Sequence, residues 1–144
     1  MASGIYNIFK KSLFEGNVDL SEDSPSDVIK VALMNNDHTA ETADLENDTD
    51  WTDVSANELV SGNGYTTWGE TLAGKAVTQA ATTKFDATDV AWTSATFTAY
   101  HAVIYNETTG ELIASIDFGG AKTVAAGTFT IQWNASGIIT MAEA

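Results

Sequence analysis

Thr128-Phe129-Thr130-Ile131-Gln132-Trp133-Asn134 decides the fold class, because large apolar and polar side chains alternate along it. Successive side chains of a strand point to opposite faces, so Phe129, Ile131 and Trp133 share one face while Thr128, Thr130 and Gln132 share the other. Leu112, Ala114, Ile116 and Phe118 repeat the pattern upstream. A period of two predicts a sheet with one buried face.

Working outward, the same reading predicts strands at Lys75–Thr78, Asp89–Thr93, Thr96–Tyr105, Glu111–Phe118, Thr128–Asn134 and Ile138–Met141. Two turns are expected to join neighbours as hairpins: Asn106-Glu107-Thr108-Thr109-Gly110, and Ala135-Ser136-Gly137 between the last two strands. In each, a glycine supplies the positive φ that tight loops need. There is no βαβ alternation, internal repeat or low-complexity linker. The expectation is one mainly β domain over residues 1–144, an antiparallel β-sandwich or barrel whose strands fill residues 72–142.

Before the strands, residues 4–15 read as a short helix. Ser3 is placed to cap it, Ile5, Phe9 and Leu13 recur every four residues, and Gly16 stands where it would stop. One further strand, Val28–Met34, places Ile29, Val31 and Leu33 on a common face. Residues 35–53 then read as a long, solvated acidic loop, of a length uncommon without a purpose.

The 144 residues hold 20 acidic and 6 basic side chains, a net charge of -14, and every cation is Lys. Residues 15–58 carry 13 of the acids. A folded chain of this mass exposes roughly 7,000 Å², or about one net negative charge per 500 Å². Such a field repels phosphate backbones and anionic lipid, so neither nucleic acid nor membrane is an expected partner. Apolar residues at 44 % and aromatics at 10 % still suffice for a core, unlike a disordered acidic tail. Without Cys there is no disulfide, thiolate nucleophile or Cys-held zinc. No basic segment precedes an apolar run near the N-terminus and no stretch is long enough to span a bilayer, so a soluble product of the cytosol is expected.

Catalytic signatures are missing: the sequence has no G-x-S-x-G, Walker A, G-x-G-x-x-G after a strand, or H-E-x-x-H. His38 and His101 are the only histidines, one in the acidic loop and one inside a predicted strand beside Phe97, Ala99 and Val103. The metal candidate is Asp44, Glu46, Asp48 and Asp50, alternating carboxylates like the start of a calcium loop. Yet the loop lacks Gly at its sixth position and Glu at its twelfth, so the expected cofactor is none. Trp92 and Trp133 read as core. Trp51 and Trp68 lie beside turns and acid and read as interface anchors. Exposed aromatics on a β-sandwich also keep a carbohydrate-binding module open.

An ordered set of segments carries a resemblance. It runs Gly4-Ile5-Tyr6-Asn7, Lys10-Lys11-Ser12-Leu13, Glu15-Gly16 and Asp27-Val28-Ile29-Lys30-Val31-Ala32-Leu33. Glu58-Leu59-Val60-Ser61-Gly62-Asn63-Gly64-Tyr65 and Leu72-Ala73-Gly74-Lys75-Ala76-Val77-Thr78 follow. Phe85-Asp86-Ala87-Thr88-Asp89-Val90-Ala91-Trp92 and Phe129-Thr130-Ile131-Gln132-Trp133 complete it. Over nearly its whole length the chain resembles small acidic virion proteins of tailed bacteriophages, often encoded among head genes. The resemblance implies a non-enzymatic capsid decoration (cement) protein, made in the bacterial host cytoplasm. It would sit on the outer surface of the icosahedral head, commonly as a homotrimer, and bridge major capsid protein subunits. A tail or head–tail junction component is the alternative. Acid-poor surface suits such contacts, which points to the N-terminal segment with Ile5, Tyr6, Phe9 and Leu13 and to the strands after residue 72; the anchors Trp51 and Trp68 are the further candidates for the capsid or oligomer interface.

Overall fold

A computed structural model of the chain describes residues 2–23 and 25–143; Met1, Ser24 and Ala144 lie outside the described residues. In chain order the elements are β1 (Gly4–Ile5), α1 (Asn7–Glu15), β2 (Ile29–Met34), α2 (Trp51–Val54) and a 3-10 turn at Ser55–Asn57. Then come β3 (Glu70–Thr71), β4 (Ala76–Thr78), β5 (Thr82–Asp86), β6 (Val90–Asn106), β7 (Leu112–Ile131) and β8 (Ile139–Ala142). They build two antiparallel sheets, one ordered β1-β7-β6-β2-β3 and one ordered β4-β5-β8. The fold is a mainly β single domain with a short N-terminal helix.

The frame is one long hairpin. The four strands expected at 89–93, 96–105, 111–118 and 128–134 are two, β6 and β7, which bend without parting. The pairing shifts register at four places; the two widest interruptions are those between Trp92 and Ala95, where Ser94 has φ of 50°, and between Ala99 and His101. At the latter Ala99 pairs with Lys122 and His101 with Asp117, so Phe118–Ala121 bulge out opposite Tyr100. Gly119 and Gly120 take φ of 72° and 131°, which lets the bulge form. The Asn106–Gly110 turn closes the hairpin as expected, with Gly110 N–H donating to the Asn106 carbonyl at 2.7 Å.

The second expected hairpin is not one. The Asn134–Gly137 turn forms, its Gly137 N–H 2.8 Å from the Asn134 carbonyl. The chain then leaves for the other sheet, where Ile139 pairs with Phe85 on β5. Strand β5, which the sequence reading missed, supplies the edge that β8 needs.

The central strands are buried on both faces, not one. Ile29, Val31 and Leu33 of β2 join Ala102, Ile104 and Ile113 in the larger core. Ala32 and Met34 point the other way, into a second core with Val103, Tyr105 and Leu112. That second core is closed by Tyr6, Ala43, Trp51 and Val54. Residues 35–53 are therefore a cover rather than a solvated loop: His38, Ala43 and Trp51 are buried, Glu41 and Glu46 are exposed, and Asp44, Asp48 and Asp50 are half-buried. Burial of each large apolar side chain is worth roughly 1.5–3 kcal/mol, which holds the cover down despite its charge.

The N-terminal helix is shorter than expected. It begins at Asn7 rather than residue 4, because Gly4 and Ile5 pair with Ser115 and Ala114 on β7. Tyr6, not Ser3, is its N-cap, with no side-chain cap bond. Gly16 ends it in the left-handed conformation, as the sequence indicated. Ser12 pins the helix to the hairpin by donating to Glu111 Oε1 at 2.8 Å.

Candidate functional site

A concavity lies where the bent hairpin brings the two halves of β7 toward β1. It has a volume of about 670 Å³ and is lined by Ile5 of β1, by Ile116, Phe118, Phe129 and Ile131 of β7, and by Trp133 and Ile138 beyond it. Alternation makes the lining apolar. Phe129, Ile131 and Trp133 share the face the sequence assigned them, but that face only partly meets the core: Phe129 and Trp133 are half-buried. Trp133 is fixed by its backbone N–H to Asp89 Oδ1 (2.8 Å) and its Nε1–H to the Thr88 carbonyl (3.1 Å).

Charge sets this groove apart. Among the described residues no Asp or Glu lines it, and Lys122 is the one charged lining side chain. The reason is in the sequence, since residues 118–142 contain neither Asp nor Glu. On a chain of net charge -14 this is the flank where a partner can bury surface without stripping water from carboxylates. A smaller cavity of about 280 Å³ lies beside α1, between Phe9, Leu13, Leu20, Phe85 and Met141.

The residues expected at an interface are dispersed. Ile5 lines the groove and Leu13 the smaller cavity. Tyr6 and Phe9 are buried inside the chain's own cores. Burial and the nearby Asp48 charge raise the Tyr6 phenol pKa far above its usual range. Trp51 is buried too, stacked on Tyr105 with centroids 4.3 Å apart and planes 15° apart. Trp68 is 53 % exposed. Its carbonyl accepts from Tyr105 Oη–H at 2.7 Å and its N–H donates to Glu58 Oε1 at 2.6 Å. The large apolar residue of the helix most open to solvent is Phe14, for which the sequence suggested no role.

The alternating carboxylates do not converge on a cation site. Asp44 Oδ1 accepts from Glu46 N–H at 2.9 Å and Asp48 Oδ2 from Asp44 N–H at 2.7 Å. Asp50 caps α2 through Thr52 N–H at 2.9 Å. These bonds turn the backbone, and those to Asn47 and Glu46 hold Asp44 below the usual carboxylate range. Among the described residues no group of three or more His, Asp or Glu side chains is arranged to hold a metal ion.

The two histidines, distant in sequence, meet with ring centroids 5.3 Å apart. His38 is fully buried, with Nε2 2.9 Å from Ser115 Oγ. Burial, then the neighbouring His101, lowers its pKa to about 4. His101 is lowered as well, chiefly by burial and against the pull of Asp117, whose Oδ1 lies 3.6 Å from its Nδ1.

No protein-family model, curated protein or solved structure matches the chain, so its own geometry carries the functional reading. Among the described residues no helix is long and apolar enough to cross a membrane.

Proposed function

We propose that this chain is a non-enzymatic virion structural protein, a capsid decoration protein that binds the outer surface of a phage head and bridges major capsid protein subunits. The observation that carries the reading is the acid-free apolar groove between β1 and the far half of β7, on a chain otherwise rich in carboxylates. A protein that cements a shell needs one face able to lose its water and another that stays solvated, and the charge is distributed in that way along the sequence. The resemblance to small acidic virion proteins supplies the partner.

Such a protein works by mass action. It binds the assembled shell and not the dissociated subunits, so the free energy of binding adds to the stability of the shell. Self-association as a homotrimer about a shell symmetry axis would raise the effective concentration of the second and third contacts once the first has formed. Sedimentation of the purified chain with expanded heads tests the proposal, with precursor shells and free subunits as controls. Saturable binding to expanded heads, and a higher temperature of head disruption when decorated, are expected. Binding to purified tails in place of heads would overturn the capsid assignment in favour of a tail component.

A further inference from the structure

The segment between Asn35 and Leu45 is clamped at its ends by backbone bonds, Asn35 N–H to the Asn57 carbonyl (2.9 Å) and Asn7 N–H to the Leu45 carbonyl (2.9 Å). Between those clamps it reaches the rest of the chain through Asn57 Nδ2–H to the Asp37 carbonyl (3.2 Å), the buried side chains of His38 and Ala43, and the bonds that tie Asp44 at its end to Glu46, Asn47 and Asp48. His38 is the deepest of these. Its ring lies against His101 of β6, and its Nε2 meets Ser115 of β7. Its Nδ1 is buried with no hydrogen-bond partner among the described residues.

A neutral imidazole tolerates this setting and an imidazolium does not. Whichever nitrogen carries the proton of the neutral ring, the imidazolium has an N–H on Nδ1 with no acceptor, in a buried site, beside another titratable ring. His38 faces His101 on β6 and Ser115 on β7, and His101 faces Asp117 on β7; the amino-terminal charge further disfavours a second proton on either ring. Only Asp117 among them favours a cation, and it lies beside His101.

We propose that mild acid releases the Asn36–Asp44 segment from β6 and β7 by charging the buried His38–His101 pair, while both sheets persist. The device would expose the face of the central sheet beneath the segment. With His38 at about 4 when buried and 6.5 when released, opening should rise roughly 30-fold between pH 7.5 and pH 5.0.

Hydrogen exchange of the full chain at pH 7.5 and 5.0, corrected for intrinsic rates, reads this directly. The expected result is roughly a 30-fold loss of protection confined to peptides spanning 36–44, with β6 and β7 unchanged, and its disappearance in His38→Gln. Equal protection at the two pH values overturns the proposal, as does a wild-type response that survives in His38→Gln. Should that variant fail to fold, NMR titration of the wild-type rings decides. Release coincident with histidine protonation supports the device, and histidines that titrate with the segment still docked refute it.

Discussion

Tyr65→Phe isolates the polar joint that ties the turn-rich middle of the chain to the central sheet. The Tyr65 hydroxyl donates to Glu58 Oε1 at 2.7 Å and accepts from Leu33 N–H at 3.0 Å. The side chain is 3 % exposed, and burial with the Glu58 charge raises its pKa far above the phenol's usual range. Phe keeps the ring and its contacts with Trp92 and Phe97, at centroid distances of 6.2 and 6.1 Å, so only the hydroxyl is tested. A hydrogen bond to a charged group contributes about 1.5–3 kcal/mol, and stranding a buried donor such as Leu33 N–H costs about 1–3 kcal/mol. Glu58 retains Trp68 N–H, so the sum is moderated to about 3 kcal/mol. For a chain of this size that is a drop in Tm of roughly 6–12 °C. Urea and thermal unfolding by circular dichroism at pH 7 would measure it, with Glu58→Gln and the double variant closing a cycle. A loss below about 1 kcal/mol, or additive single effects, would refute the joint.

Trp51→Leu should cost about 2–4 kcal/mol by opening a cavity against Tyr105 and flatten the near-ultraviolet dichroism, whereas Trp68→Ala should cost less than about 1 kcal/mol. Unfolding free energy should be level above pH 6.5 and fall by up to about 3 kcal/mol toward pH 4, because the unfolded chain protonates His38 before the folded chain does. The lowered carboxylates Asp44, Asp53 and Asp117 withdraw their stabilisation only at lower pH, and half-buried Glu58, whose pKa is raised, acts in the opposite sense. Urea titrations at half-unit pH steps, with His38→Gln, separate these contributions. Thr130→Glu with Gln132→Glu, two exposed groove positions, should leave the dichroism unchanged and weaken head binding at least tenfold by centrifugation.

The alternation in residues 128–134 and the glycine that ends the first helix were readable because each is a local physical requirement. The continuity of β6 and β7 was not: Ser94 and Gly119-Gly120 look like breaks, and only cross-strand pairing carries the chain through them as bulges. The cover over the second core was hidden for a related reason. Its buried members His38, Ala43 and Trp51 are widely spaced among acids and follow no helical or strand period. The groove was half legible. Its aromatics were recognised on one face of a strand, and a stretch without Asp or Glu from residue 118 to 142 was there to be noticed. What no single strand encodes is that the hairpin bends enough to leave that face partly uncovered.

The most direct test of the account is electron cryomicroscopy of purified heads incubated with the chain. The account predicts density for it on the outer surface, bridging neighbouring capsid subunits, with Ile116, Phe129 and Trp133 turned toward the shell and the carboxylates of residues 15–58 toward solvent. Heads that remain bare at saturating concentration, or density with the groove facing solvent, would contradict it.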